Sequence, residues 1–282
     1  MITRFAPSPT GPLHLGHAYS AILGYERAQA TSGKFLLRIE NTDISRCRAE
    51  YEAAIFNDLT WLGLQWETPV LRQSDHIGRY EAALQRLGDM GLTYPCTCTR
   101  SDIAAALSAP QEGVTHLPPD GAVYPGTCRT GPQGTNPKPA IRLNLERALR
   151  HIPDIQALHF KESGPEMTGQ HVLNKVELRN RVGDIVLGRR DIGTASYHLC
   201  VVLDDALQGI TEVVRGMDLF EATQVHRLLQ ALLDLPTPTY HHHRLIRDDA
   251  GKRLAKRDDA KSIAKFRAEG ATPADIRSMV GL

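Results

Sequence analysis

Short apolar runs alternate with longer stretches of helical periodicity through the first 90 residues of the chain. Residues 2–5 predict a strand, which runs into the turn Pro7-Ser8-Pro9-Thr10-Gly11. An Ala/Leu-rich helix pattern over 18–31 stops at Gly33, and Phe35-Leu36-Leu37-Arg38-Ile39 predicts a buried strand ending at Glu40. Tyr51, Ile55, Leu59 and Leu62 recur at helical spacing, and residues 75–90 predict an amphipathic helix capped by Ser74. Strand alternating with helix argues for an α/β fold, a parallel sheet with crossover helices on both faces. Ligands of such sheets sit beyond the carboxyl ends of the strands, where the turn near His14 and Glu40 both fall.

The rhythm breaks at residues 108–139, where Pro, Gly, Thr and Ser dominate. Strand patterns return at 184–187, 197–203 and 211–214, and residues 220–233 predict an amphipathic helix. The organisation expected is therefore a split α/β domain (1–95 and 170–239) interrupted by a smaller inserted module (96–169). Residues 240–282 form a tail with room for two short helices, at 261–269 and 273–280.

Composition narrows this picture only a little. The chain has 282 residues with 41% apolar and 23% charged content, which reads as globular, and its formal net charge is +1. The tail is more basic, with ten Lys or Arg against six Asp or Glu, plus His241, His242 and His243. A tail of that sign suits either a polyanion or a solvated basic face. No apolar run reaches membrane-spanning length, and the first residues do not have the form of a secretory leader, so no membrane and a cytoplasmic location are expected. Five cysteines, an odd number, point to reduced thiols.

Four groups of residues carry candidate chemistry. His14-Leu15-Gly16-His17 follows the first turn and opens a helix. Helix N-termini hold phosphates, and two imidazoles flanking a glycine suit an adenine nucleotide. Arg4 on the first strand and Arg215 on a later one are suited to carboxylates, Glu40 to an ammonium, and Tyr197 opens another predicted strand. If those strands converge, the set fits an acidic amino acid; otherwise it is a set of surface ion pairs. Gly251-Lys252-Arg253-Leu254-Ala255-Lys256-Arg257 is a basic segment able to close over a triphosphate. Cys96, Cys98 and Cys128 offer three thiolates, with Tyr124, His116 or water as a fourth ligand for zinc; three buried free cysteines are the other reading. Cys47 and Cys200 fall in predicted helix and strand positions.

Together these motifs closely resemble a class I aminoacyl-tRNA synthetase of the glutamyl type. The resemblance rests on Arg4-Phe5-Ala6-Pro7-Ser8-Pro9-Thr10-Gly11, His14-Leu15-Gly16-His17, Leu37-Arg38-Ile39-Glu40, Val202-Leu203-Asp204-Asp205 and Val214-Arg215-Gly216-Met217-Asp218-Leu219. Arg253-Leu254-Ala255-Lys256-Arg257 is similar to the second signature of the class, K-M-S-K-S. It departs from that signature at Arg253 and Ala255, and Asn41 stands where the family commonly has Asp. The resemblance implies a Rossmann-like catalytic sheet with a zinc-bearing insertion. It also implies a short helical C-terminal tail, because the chain stops about 25 residues after the basic segment, with no anticodon-binding domain.

That length matches a short paralogue of the glutamyl enzymes. The implied activity is ATP-dependent activation of L-glutamate without tRNA, then transfer of the glutamyl group to queuosine at the wobble position of tRNA(Asp). The implied catalytic residues are His14, His17 and Lys256, with Mg²⁺. Glutamate would meet Arg4, Phe5, Ala6, Pro7, Ser8, Glu40, Tyr197 and Arg215, and ATP would meet Pro9, Thr10, His14, Gly16, His17, Arg253 and Lys256. Zn²⁺ would be held by Cys96, Cys98, Tyr124 and Cys128, and a monomer is expected. The rival expectations are a truncated glutamyl-tRNA synthetase charging a tRNA 3′ end, and a non-catalytic paralogue. A small nucleotidyltransferase would share the H-x-G-H turn but not the stretch from Arg4 to Gly11.

Overall fold

A computed structural model of the chain describes residues 1–108, 123–247 and 261–282. The first third is strand–helix–strand. β1 (Ile2–Phe5) leads through the Pro/Gly turn into α1 (Leu15–Gln29), β2 (Lys34–Ile39), α2 (Ala49–Trp61) and β3 (Glu67–Arg72). The three strands pair in parallel in the order β1-β2-β3. Apolar residues spaced along α1, among them Ala18, Ala21, Ile22 and Ala28, pack with Phe35, Leu37 and Ile39 of β2 in one core cluster. The return from α1 to β2 passes so close to the chain start that a Cβ on Gly33 would lie 1.9 Å from the Met1 carbonyl oxygen, so only glycine fits.

Beyond β3, a 3₁₀ turn (Gln73–His76) leads into α3 (Ile77–Asp89). Ser74 is not a helix cap. It sits inside that turn, where Asn41 accepts from its amide at 2.9 Å and donates to its hydroxyl at 3.0 Å. The Asn at position 41 thus ties the end of β2 to the turn after β3.

β4 (Thr93–Cys96), α4 (Arg100–Ser108), β5 (Ala140–Leu143), α5 (Leu145–His151), β6 (His159–Glu162), β7 (Gly169–Val172), α6 (Lys175–Glu177) and β8 (Val186–Gly188) follow. β4, β5 and β8 form a small antiparallel sheet. Then come α7 (Tyr197–Leu207), β9 (Glu212–Gly216), α8 (Ala222–Leu232), β10 (Thr239–His243), α9 (Ile263–Ala268) and α10 (Pro273–Val280). β9 and β10 pair in parallel and continue through β6 to β7. β9 lies against β1, and the Thr211 amide donates to the Ile2 carbonyl at 3.0 Å. The three-stranded parallel sheet and the mixed four-stranded sheet therefore meet edge to edge along β1 and β9, whose amino ends this bond ties together.

Two sequence expectations are corrected here. Residues 197–203 are the helix α7, not a strand. Helix α7 is buried at every position from His198 to Asp205, so its apolar run has no solvent face and lacks the 3.6-residue alternation that marks a helix. Residues 240–243, grouped above with the basic tail, are the buried part of strand β10. Its three histidines are not a charged surface. His241 meets Ser163, His242 meets Glu162, and His243 meets Ser20 and the Arg244 carbonyl.

Candidate active site

A cavity of about 540 Å³ opens where β1, β9 and β10 end and α1 begins. Arg4, Phe5, Ala6, Pro7, Ser8 and Thr10 line one side, with His14, Gly16 and His17 at the mouth of α1. Glu40, Tyr197 and Arg215 close it. These include almost all the residues singled out from sequence. Pro9 does not line it; it is buried, and its carbonyl accepts from the Arg48 amide at 3.0 Å. Tyr197 reaches the cavity from the first turn of a helix rather than from a strand.

His14 is the N-cap of α1. Its Nδ1 accepts from the Gly16 amide at 3.1 Å, and the His17 Nδ1 accepts from the His14 amide at 3.2 Å. The two rings stand 3.8 Å apart. Because each Nδ1 is an acceptor, each neutral ring carries its proton on Nε2. The helix thus begins at Leu15, three residues before the pattern 18–31 suggests, because a histidine serves as its cap.

Arg253 and Lys256 lie outside the described residues. The described residues on either side of that segment both reach the site. Leu245 and Ile246 line the cavity, while Ser262 bridges to His14 and the Ile263 amide donates to the Leu13 carbonyl at 2.9 Å.

The two candidate carboxylate-binding arginines sit in different surroundings. Arg4 donates from Nε to Asp205 at 2.9 Å and from Nη2 at 3.4 Å. Asp205 also receives Nη1 of Arg38 at 2.7 Å, and Arg38 donates to Glu40 at 3.2 Å. Burial works against the Arg38 charge, but Asp205, Glu40 and Asp204 outweigh it and hold the guanidinium firmly protonated. Asp205 is likewise held below the usual carboxylate range, where Arg4 and Arg38 outweigh burial. Glu40 goes the other way: burial outweighs Arg38 and Arg4 and lifts its carboxyl above the usual range.

Arg215 has no carboxylate partner among the described residues. It is 6% exposed, and its N–H groups go to His242 Nε2 at 3.0 Å, His226 Nδ1 at 3.1 Å, the Leu219 carbonyl at 3.1 Å and Thr223 Oγ1 at 2.8 Å. A guanidinium has five N–H groups, so these four bonds leave one on Nη1. The cavity therefore presents one uncompensated buried cation and, at Glu40, a carboxyl whose ionisation a ligand ammonium would favour.

The inserted region builds a separate cluster. The Sγ atoms of Cys96, Cys98 and Cys128 lie within 4.8 Å of one another, all buried. The Tyr124 hydroxyl is 3.4 Å from the sulfurs of both Cys96 and Cys98 and accepts from the Cys128 amide at 2.8 Å. Tetrahedral zinc with Zn–S near ~2.3 Å puts ligand atoms just under 4 Å apart, so this donor set fits the ion. Burial raises the Cys98 thiol to about 11. Burial also pushes the Cys128 thiol up, but hydrogen bonds from Tyr124, Gln133 and Thr97 overcome it and bring the thiol to about 5, so one ligand is readily a thiolate. The Arg142 guanidinium stacks 3.9 Å above the Tyr124 ring. His116 lies outside the described residues, and neither Cys47 nor Cys200 joins the cluster.

Sequence reading missed Ser20, Leu245 and Ile246 in the cavity wall, and it noted Asp218 and His243 without placing them there. The Val202-Leu203-Asp204-Asp205 motif was noted but given no role; Asp205 turns out to be the shared anion of Arg4 and Arg38. The run Tyr240-His241-His242-His243 gave no strand signal, because imidazoles count as polar in a hydropathy pattern yet are neutral and partnered here.

Sequence and structural comparisons point to one family. The profile described as tRNA synthetases class I (E and Q), catalytic domain, matches residues 1–123 and 148–282. The chain is 58% identical, over the full length of both, to a Rhodobacter capsulatus protein named glutamyl-Q tRNA(Asp) synthetase. It is 40% identical to a protein of that name from Nocardia farcinica, with 98% of this chain and 82% of that one covered. A glutamate tRNA ligase structure from Elizabethkingia meningosepticum superposes with a TM-score of 0.75 at 24% identity, covering all of this chain and 60% of that one. A Mycobacterium tuberculosis methionyl-tRNA synthetase superposes with a TM-score of 0.63 at 12% identity over 99% of this chain and 63% of that one. At those identities the likeness is one of fold.

Proposed function

Because this chain belongs to the class I glutamyl- and glutaminyl-tRNA synthetases and is a ligase of that family, we propose that it activates L-glutamate with ATP in the absence of tRNA and passes the glutamyl group to queuosine in tRNA(Asp). The observation that carries this reading is the pairing of Arg215 and Glu40 in one cavity with the His14–His17 turn. An amino acid with a carboxylate side chain satisfies both ends, and 58% identity to a protein named glutamyl-Q tRNA(Asp) synthetase supports the acceptor.

In the first step a carboxylate oxygen of glutamate forms a bond to the α-phosphorus of ATP, and the bond to the bridging oxygen breaks. Pyrophosphate leaves with the electron pair. Arg215 takes the side-chain carboxylate, Glu40 the ammonium, and Tyr197 with residues 5–8 encloses the chain. Arg4, already bound to Asp205, contributes its edge to the α-carboxylate. His14 and His17 hold the nucleotide with Gly16 and Thr10, and Lys256 and Arg253 offset charge on the phosphoryl oxygens together with Mg²⁺. In the second step a hydroxyl oxygen of the modified base forms a bond to the activated carbonyl carbon, the bond from that carbon to the phosphate oxygen breaks, AMP leaves with the electron pair, and the hydroxyl proton passes to solvent. Cys96, Cys98 and Cys128, with the Tyr124 hydroxyl, would hold zinc, which would have a structural part in tying β4 to the loop at 123–128.

The test is ATP–pyrophosphate exchange with glutamate alone, followed by transfer of labelled glutamate to tRNA(Asp) with and without queuosine. Exchange without tRNA and queuosine-dependent labelling are expected. Exchange that requires tRNA, or label on the 3′ end, would mean a charging enzyme instead. No exchange under any condition would mean a non-catalytic paralogue. Lys256→Ala is expected to slow exchange far more than it raises the KM for glutamate, and equal change in both would reduce that residue to positioning.

A further inference from the structure

The partners of Arg215 form a chain that runs away from the cavity into the sheet. Nε donates to His242 Nε2 at 3.0 Å, and His242 Nδ1 meets Glu162 Oε2 at 2.5 Å. The other carboxylate oxygen, Oε1, accepts from the backbone amides of His242 at 2.9 Å and Gly164 at 2.6 Å. On the second side, Arg215 Nη1 donates to His226 Nδ1 at 3.1 Å, and His226 Nε2 meets His198 Nδ1 at 3.1 Å. Glu162, His226 and His242 are each no more than 2% exposed. Neither His226 nor His242 lines the cavity.

We propose that His226 and His242 are positioning residues that accept hydrogen bonds from Arg215, fixing its guanidinium in the cavity wall without neutralising it, and so make the site select a carboxylate over an amide. The inference rests on Arg215 being the group that meets the substrate side chain.

Proton positions along the chain follow from the bonds. Oε1 of Glu162 already takes two amide protons, and Oε2 faces His242 Nδ1, so that nitrogen carries the imidazole proton. The Nε2 lone pair is then turned to Arg215. Arg215 cannot accept, so His226 Nδ1 must, and the His226 proton sits on Nε2 facing His198. Burial, with Arg215 close by, holds His226 well below its ordinary range and His242 at about 4, so both rings stay neutral. Glu162 stays ionised, at about 2, because its bonds to His242 outweigh burial.

A carboxylate in place of either ring would satisfy Arg215 better. It would also cancel the charge that an acidic substrate needs. Two imidazoles hold the guanidinium through directional bonds and leave its charge to the ligand. A substrate amide brings no charge to that site and leaves the buried cation unmatched. Glu162 sets the His242 tautomer one layer further out, while its own charge stays an imidazole's width from Arg215.

Three variants of the full-length chain test this, with kcat and KM read separately for glutamate, glutamine and ATP in pyrophosphate exchange. Glu162→Gln keeps the shape. Its oxygen must still take the two amide protons, so its NH₂ faces His242 Nδ1, moves the ring proton to Nε2 and sets it against Arg215. The KM for glutamate should rise about tenfold, with the KM for ATP within about twofold of wild type. His226→Glu should raise the KM for glutamate about 100-fold and shift the glutamate-to-glutamine ratio of kcat/KM towards glutamine by at least about tenfold. His242→Gln, which keeps an acceptor, should stay within about threefold of wild type.

An unchanged KM for glutamate in folded Glu162→Gln and His226→Glu overturns the proposal. So does a parallel rise in both KM values, which marks a general structural defect. If Arg215→Ala itself leaves glutamate activation intact, the parent reading of Arg215 fails instead, and the two failures are thereby told apart.

Discussion

Two walls of one cavity each carry a buried arginine, and they are built on opposite terms. On the β1 wall, Arg4 and Arg38 share Asp205, Arg38 also holds Glu40, and the charges are matched inside the protein. On the β9 wall, Arg215 has, among the described residues, only imidazole, hydroxyl and carbonyl partners. A matched cluster stabilises a fold and offers little net charge to a ligand. An unmatched cation is a cost to the folded protein and a source of affinity for an anion. The difference separates two arginines that the sequence presents alike: in the proposed reading the first wall holds the sheet end in shape and meets the α-carboxylate and ammonium through Arg4 and Glu40, and the second meets the side-chain carboxylate.

The sharpest way to break this comparison is to remove one arginine from each wall. Arg215→Ala is expected to lower kcat/KM for glutamate by about 10³-fold, since a buried charge contact is lost. Arg215→Met, of similar bulk, breaks no ion pair but strips the donor from His226, His242, Thr223 and the Leu219 carbonyl, so it should lower stability by less than removal of Arg38 does. Arg38→Met should destabilise by about 3–5 kcal/mol, leaving Glu40 without its cation and Asp205 with Arg4 alone. Its readout is denaturant unfolding, and a shift under about 1 kcal/mol would contradict the matched-cluster account.

The pH dependence of glutamate binding sharpens it further. Burial raises the Glu40 carboxyl, and a bound ammonium favours its ionised form, so the complex holds fewer protons than the free site. Affinity for glutamate should therefore fall as pH drops through the raised range, by up to about tenfold per unit, with an onset above the ordinary carboxylate range. Glu40→Gln should bind weakly and without that slope; a slope that survives places the titration elsewhere. The smallest effect on exchange is expected at the cysteine cluster. Cys98→Ser should lose zinc, measured by metal analysis, and lower the melting temperature. It should change glutamate-dependent exchange by less than about threefold, since that region lines no part of the cavity. A collapse of exchange in a folded variant would join the two regions.

Much of this was legible in the chain itself. The strand–turn–helix at 2–29 and β2 follow from local pattern, and the Pro/Gly turn marked the end of the sheet where the cavity opens. Arg4, Glu40 and Arg215 stand out in sequence because arginine suits a carboxylate and glutamate an ammonium, and the structure brings all three to one cavity. What sequence could not supply was the environment of each charge. Asp205 and Arg38 are separated by 167 positions, so their pairing has no local signature. Helix α7 was read as a strand because burial on all sides erased its periodicity. Strand β10 was read as a basic tail because histidine is assigned by its solution chemistry, whereas inside the sheet it is an acceptor held neutral.

The most direct measurement is equilibrium titration of L-glutamate and L-glutamine onto the wild-type chain and Arg215→Ala, each with a non-hydrolysable ATP analogue bound. The wild type should prefer glutamate, and the variant should lose both glutamate binding and the preference while its affinity for the analogue is unchanged. Glutamate binding of wild-type strength in the variant would contradict the account, because the unmatched cation would then have no part in reading the substrate.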